Sequence, residues 1–186
     1  LMACHGLSAF KISLHSINRK EVSHMELDER EDVGFIQVKW SSKLYGTVEM
    51  KARYWLHQKG SENFYGELDF IKQHFRELYD KLLENLFEEY SENPLLDVWN
   101  EETGESERIM FATKEEMHPY LGMTPCIDVK SFKDKVYLGL TFYQHNRLSI
   151  EHGICAIFDK LELFLVDSYD FEGILDNLKY GYKSGF

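Results

Sequence analysis

The chain has 186 residues, 44% of them hydrophobic and 15% aromatic, enough to bury a full core in one domain spanning 1–186 and too apolar for a disordered chain. Its net charge of −11 argues against direct nucleic-acid binding, because phosphate backbones are held by clustered Lys and Arg. No apolar run approaches the roughly 20 residues that cross a bilayer, and the three cysteines, Cys4, Cys126 and Cys155, are odd in number and widely spaced. A disulfide framework and a membrane partner are therefore not expected, and a reducing, cytoplasmic setting is.

In chain order, "AFKISLH" (9–15) alternates Phe10, Ile12 and Leu14 with polar residues, as a half-buried strand does. After a charged connector, "VGFIQVKW" (33–40) and "YGTVEMKARYWL" (45–56) read as two antiparallel strands joined by the turn-like "SSKL", completing an N-terminal meander over 9–56. From 67 to 90 the positions Leu68, Ile71, Phe75, Leu78, Leu82, Leu86 and Tyr90 recur at spacings of three and four, with Tyr79, Leu83 and Phe87 widening the stripe. That is one apolar face of a long helix, limited by Pro94.

Beyond a polar loop, "RIMFA" (108–112) reads as a short strand, and "TKEEMHPYLG" as a short helix. There Thr113 and Glu116 stand in the arrangement of a capping box, and Pro119 limits the length. "CIDVKSF" and "KVYLGLTFYQH" read as a hairpin with Val136, Leu138, Leu140 and Phe142 on one face; "GICAIF" and "LELFLVDSY" form another around Asp159-Lys160. The C-terminal antiparallel strands thus occupy 108–167, succeeded by a tail with about one helical turn. Short turns and one-sided strands favour antiparallel pairing over βαβ crossovers. The expected fold is α+β: a mainly antiparallel sheet with one long amphipathic helix packed across it.

The charge is not spread evenly. Between Glu62 and Glu107 there are 14 acidic residues against Lys72, Arg76 and Lys81, a difference of −11, so this segment carries the whole excess. On the helix, Glu77, Asp80, Glu84 and Glu88 lie opposite the apolar stripe, the last three repeating every four residues as an acidic ridge. In the next loop Glu101, Glu102, Glu105 and Glu107 add to it. The plainer reading is a solvated helix face; the functional one is a negative surface that draws a basic partner.

Motifs of covalent or cofactor chemistry are sparse. There is no G-x-S-x-G, no Gly-rich phosphate loop before a helix, and no cation beside a cysteine, so no cofactor and no catalytic residue is assigned. The triplet Glu151-His152-Gly153 is the exception worth weighing. In an extended segment Glu151 and His152 point to opposite faces, so each needs partners from elsewhere, such as His145, Tyr143 or Asp167. A metal set of His152, Cys155, Cys126 and His145 has ligand types that zinc accepts but the spacing of no compact zinc module, and no metal is assigned. The structural alternative makes the triplet a corner, with Gly153 adopting a conformation other residues resist. Aromatics beyond the needs of the core, Tyr54, Trp55, Tyr65, Trp99, Tyr143, Tyr180, Tyr182 and Phe186, are candidates for a contact surface.

The order "VYLGLTFYQH", polar turn, Glu151-His152-Gly153, then "ICAIFDKLELFLVDSYD" resembles the C-terminal signature of small bacterial domains of unknown function in which Glu-His-Gly precedes a hairpin, over residues 123–170. Several such families occur among immunity proteins of polymorphic-toxin and contact-dependent inhibition systems. The resemblance implies a cytosolic, non-enzymatic protein that binds and neutralises a cognate toxin. A basic nuclease suits the charge, with Glu77, Asp80, Glu84, Glu88, Glu101, Glu102, Glu105 and Glu107 as the contact region. The alternatives are a small metal-dependent hydrolase using Glu151, His152 and His145, and a structural interaction protein.

Overall fold

Strands β1 (Val33–Ser42) and β2 (Gly46–Trp55) pair antiparallel in full register, Val33 opposite Trp55 and Ser42 opposite Gly46, as the two alternating segments require. The structure, a computed structural model, describes residues 32–56, 58, 63–92, 97–100, 102–143, 146–149, 153–167, 171 and 173–175, all within one compact unit, residues 31–186. The strand expected at 9–15 lies outside them.

Helix α1 (Phe64–Glu92) runs slightly beyond the expected 67–90 at both ends. Its apolar stripe is buried as the spacing demands, through Leu68, Ile71, Phe75, Leu78, Leu82 and Leu86, with Tyr79 and Leu83 beside them; Phe87 and Tyr90 are half-buried at the margin. One polar residue shares the buried face: the Glu67 carboxylate takes Lys160 Nζ at 2.6 and 2.8 Å, which satisfies a charge that burial alone would penalise.

Strands β5 (Cys126–Phe132), β6 (Lys135–Phe142), β7 (Ile154–Asp159) and β8 (Glu162–Asp167) form the two expected hairpins and one continuous antiparallel run. The sheet order is β1-β2-β5-β6-β7-β8. The fold is α+β with a mostly antiparallel six-stranded sheet and α1 across one face. One junction departs from the sequence reading: β2 and β5 pair in parallel at Arg53 with Cys126 and Tyr54 with Ile127. A parallel pair needs a long crossover, and α1 with the segments after it supplies one. The pairing spans only two residues of each strand, which is why strand alternation did not reveal it.

The face under α1 carries Val38, Trp40, Met50, Ala52, Ile127, Val129, Leu138, Leu140, Phe142, Ala156 and Phe158 in the main core. The other face is also covered over β6 and β7, where Tyr137, Cys155 and Ile157 pack with Phe171, Ile174 and Leu175.

Between α1 and β5 the structure corrects two expectations. "RIMFA" is not a strand; the strand there is β4 (Glu105–Glu107), which pairs with β3 (Val98–Asn100) in a small separate hairpin. Ile109 and Phe111 are half-buried against the core while Met110 is exposed, so the alternation is real but no ladder accompanies it. Nor does the capping box form: Thr113 makes no side-chain cap bond, and the Glu116 carboxylate instead accepts the Ala112 N–H at 2.7 Å. From Thr113 the chain enters a 3₁₀ turn (Lys114–Met117) that runs into the one-turn helix α2 (His118–Leu121), with Pro119 in its first turn.

Candidate functional site

The acidic ridge lines a hollow of about 480 Å³ along α1, walled by His74, Arg76, Glu77, Asp80, Glu84 and Lys114 among others. Its carboxylates are not equivalent. Asp80 turns inward from the ridge, accepting the indole N–H of buried Trp40 at 2.8 Å with Arg76 at 3.9 Å. Glu77 is 3.1 Å from Lys81, whose ammonium also donates to the Leu161 carbonyl. Glu84 pairs at 2.5 Å with Lys114, and this pairing holds the lysine above its usual range. Glu88 faces solvent and carries no ion pair among the described residues.

In the second acidic group, the turn from β3 to β4 is built by Asn100. Its Oδ1 accepts the N–H groups of Glu102 (2.9 Å) and Thr103 (3.3 Å), and its carbonyl that of Gly104. Glu102 and Glu105 are exposed on this turn; Glu107 accepts from Asn100 Nδ2 and lies 3.6 Å from Arg147. Glu101 lies outside the described residues. The ridge and this hairpin are linked through the 3₁₀ turn with α2 and through Arg147, whose cations the sequence does not mark as site residues. Lys114 joins the 3₁₀ turn to Glu84, Arg147 lies over the Tyr120 ring at 4.7 Å, and Arg147 Nε donates to the Trp99 carbonyl at 2.6 Å. Tyr90, near the end of α1, donates to the Leu148 carbonyl at 2.8 Å, so helix and hairpin both rest on residues 147–148.

Behind the ridge, Trp40, Tyr79 and His118 form an aromatic cluster: Tyr79 Oη and His118 Nδ1 share a 2.8 Å hydrogen bond, and the Trp40 ring packs edge-on to Tyr79 at 5.2 Å. Burial lowers the His118 pKa, favouring a neutral ring. The histidine is a core group here, since its one described polar partner is another buried side chain.

Of the triplet, Glu151 and His152 lie outside the described residues, as does His145. Gly153 has φ +71 and donates its N–H to the Ser149 carbonyl at 2.9 Å; a Cβ there would lie 2.7 Å from the Phe142 carbonyl oxygen and from the Tyr143 ring. The neighbouring turn is held by Asn146, whose buried amide accepts the N–H groups of Leu148 and Ser149 and donates to the Phe142 carbonyl. The sequence signal for it is the turn chemistry of Asn, whose side chain bonds to nearby backbone.

Asp167 and the two described cysteines belong to another place. On the sheet face away from α1, Arg53, Cys126, Thr141, Cys155 and Asp167 are cross-strand partners in one row over five strands, all buried. The Thr141 hydroxyl lies 3.3 Å from Cys155 Sγ, so a whole strand separates the thiols and no disulfide joins them. No group of three or more His, Cys, Asp or Glu side chains is placed to hold a metal among the described residues. Burial, with Asp128 nearby, pushes the Cys126 thiol up to about 11. At pH 8 only about one molecule in a thousand then carries its thiolate. In a Cys4→Ser chain, both remaining thiols should react with Ellman's reagent only as fast as the protein unfolds; rapid labelling of either in the native state would contradict this burial.

No helix of the described residues is long and apolar enough to cross a membrane. Comparison with protein-family models, with curated proteins and with solved structures finds no match to this chain.

Proposed function

We propose that this chain is a non-enzymatic binding protein of the immunity type, acting in the bacterial cytoplasm to neutralise a cognate basic toxin, a nuclease being the best fit to its charge. The observation that carries this reading is the set of outward carboxylates on α1 and the β3–β4 hairpin, in the segment holding the whole net charge of −11. Glu77 and Glu84 are partly neutralised by Lys81 and Lys114, and Asp80 is engaged with Trp40. Of the described carboxylates in the expected contact region, Glu88, Glu102 and Glu105 are the exposed ones that carry no ion pair among the described residues, and these are left to attract a partner. A nuclease groove is rich in Lys and Arg, so an opposite field speeds encounter and selects against acidic partners. Reduced Cys126 and Cys155 suit a cytoplasmic setting.

The test is co-expression with the product of the gene directly upstream. The expected result is a purified complex and protection of cells that make that product; neither complex nor protection would sink the reading. Joint replacement of Glu88, Glu102 and Glu105 by Lys should slow association roughly tenfold or more at low salt, with the difference shrinking as salt rises. Unchanged association would move the interface away from these residues.

A further inference from the structure

Strand β1 is an edge of the six-stranded sheet: among the described residues no strand pairs with its outer side. Its ten residues pair with β2 without a bulge and contain no proline, whereas the other edge, β8, has six and slips register at Ile157 and Phe158 of its partner. The outward backbone groups of β1 follow from one bond. Leu56 donates its N–H to the Asp32 carbonyl, and in an antiparallel pair such bonds recur at every second residue. Even-numbered residues of β1 therefore bond to β2, and Val33, Phe35, Gln37, Lys39 and Ser41 direct N–H and C=O away from it. Lys39 is the strand's only charge, and Glu49 pairs with it at 2.6 Å. Sheets blunt long edges with several charges, proline or bulges, and β1 has none of these devices beyond Lys39.

We infer that β1 is a self-association edge, taking β1 of a second copy antiparallel about a two-fold axis at Gln37, so that two six-stranded sheets join into one. It does not depend on the acidic-surface reading. In this register Val33 faces Ser41 of the second copy, Phe35 faces Lys39 and Gln37 faces Gln37, and each pair exchanges two backbone bonds, about ten in all. The side chains agree with it. Phe35 already holds an ammonium against its ring, with Lys51 Nζ 3.8 Å from the centre, so a lysine opposite it is a compatible neighbour. On the α1 side, half-buried Ile36 meets Val38. The strand has no carboxylate, and the two Lys39 side chains lie roughly 14 Å apart, beyond the ~8 Å Debye length at physiological salt. On a chain of net charge −11, β1 is thus a seam whose one charge is already paired, which suits a second copy better than a basic or an acidic partner. Two-fold pairing occupies the same edge on both copies and closes there.

Sedimentation of the full chain across a dilution series should show a dimer in reversible exchange with monomer. Gln37→Pro removes an outward N–H that β2 does not use, and should raise the dimer dissociation constant about 100-fold or more, whereas Gln37→Thr stays within about threefold. A second pair of variants leaves the backbone donors intact. Gln37→Lys and Gln37→Glu should each weaken the homodimer about tenfold by setting like charges opposite, and when mixed they should form a heterodimer in preference to either homodimer. A wild type that is monomeric at every concentration overturns the inference, as does a dimer that Gln37→Pro leaves intact. Mixed charge variants with no preference for the heterodimer overturn the two-fold at Gln37. A monomer whose Phe35, Gln37 and Lys39 amides exchange slowly would replace the second copy by another segment of the same chain.

Discussion

Replacing Trp40 by Ala should destabilise the protein by about 4 kcal/mol in urea unfolding, because removal of a large buried aromatic loses its transfer energy and leaves a cavity. Trp40 is fully buried on edge strand β1, opposite Val48, and its ring packs against both Tyr79 and His118. Its indole N–H also satisfies Asp80, which ties the sheet to the acidic side of α1. Packing and hydrogen bond separate in a second variant. Trp40→Phe retains much of the apolar area but removes the donor. Since the Asp80 side chain is 33% exposed, water can take the lost bond and the added cost should be only about 1 kcal/mol. A Trp40→Phe loss as large as that of Trp40→Ala would show that the indole bond, and not packing, anchors this corner; a loss below about 2 kcal/mol for Ala would contradict the burial itself.

The same residue shows where sequence reading succeeds and where it stops. That residues 33–40 form a strand comes from alternation within a few positions, and α1 comes from one stripe at spacings of three and four. That Trp40 reaches Asp80, or Tyr79 reaches His118, depends on how strand, helix and 3₁₀ turn dock, which no local period encodes. The parallel contact of β2 with β5 is of the same kind, two residues deep and some 70 positions apart in the chain. The reading of "RIMFA" failed differently. Ile109 and Phe111 alternate with Met110 because they lean on the core, and periodicity reports burial without reporting whether a neighbouring strand is present. For the candidate site, the carboxylates were legible as residue types at positions. Their inequality was not, because Lys114 and Arg147, which neutralise and link them, arrive from distant segments.

Gly153→Ala should cost about 3 kcal/mol, the sum of a left-handed backbone that a Cβ resists and a direct clash. The backbone part can be measured by itself. Gly104 has φ +70 and open space where a Cβ would go, so Gly104→Ala should cost only about 1 kcal/mol. The remainder at Gly153 comes from a Cβ placed 2.7 Å from the Phe142 carbonyl oxygen, and that oxygen has little freedom. Phe142 pairs with Ile154 at the start of β7, and its carbonyl accepts the buried Asn146 amide that shapes the turn. Relief therefore requires the β6–β7 connection to give way, dragging with it the Ser149 carbonyl that accepts the Gly153 N–H. Equal losses for the two alanine variants would mean that the corner yields cheaply and that Gly153 is needed only for its φ. A loss about 2 kcal/mol larger at Gly153 would establish close approach of β6 as the reason a glycine must come after Glu151-His152.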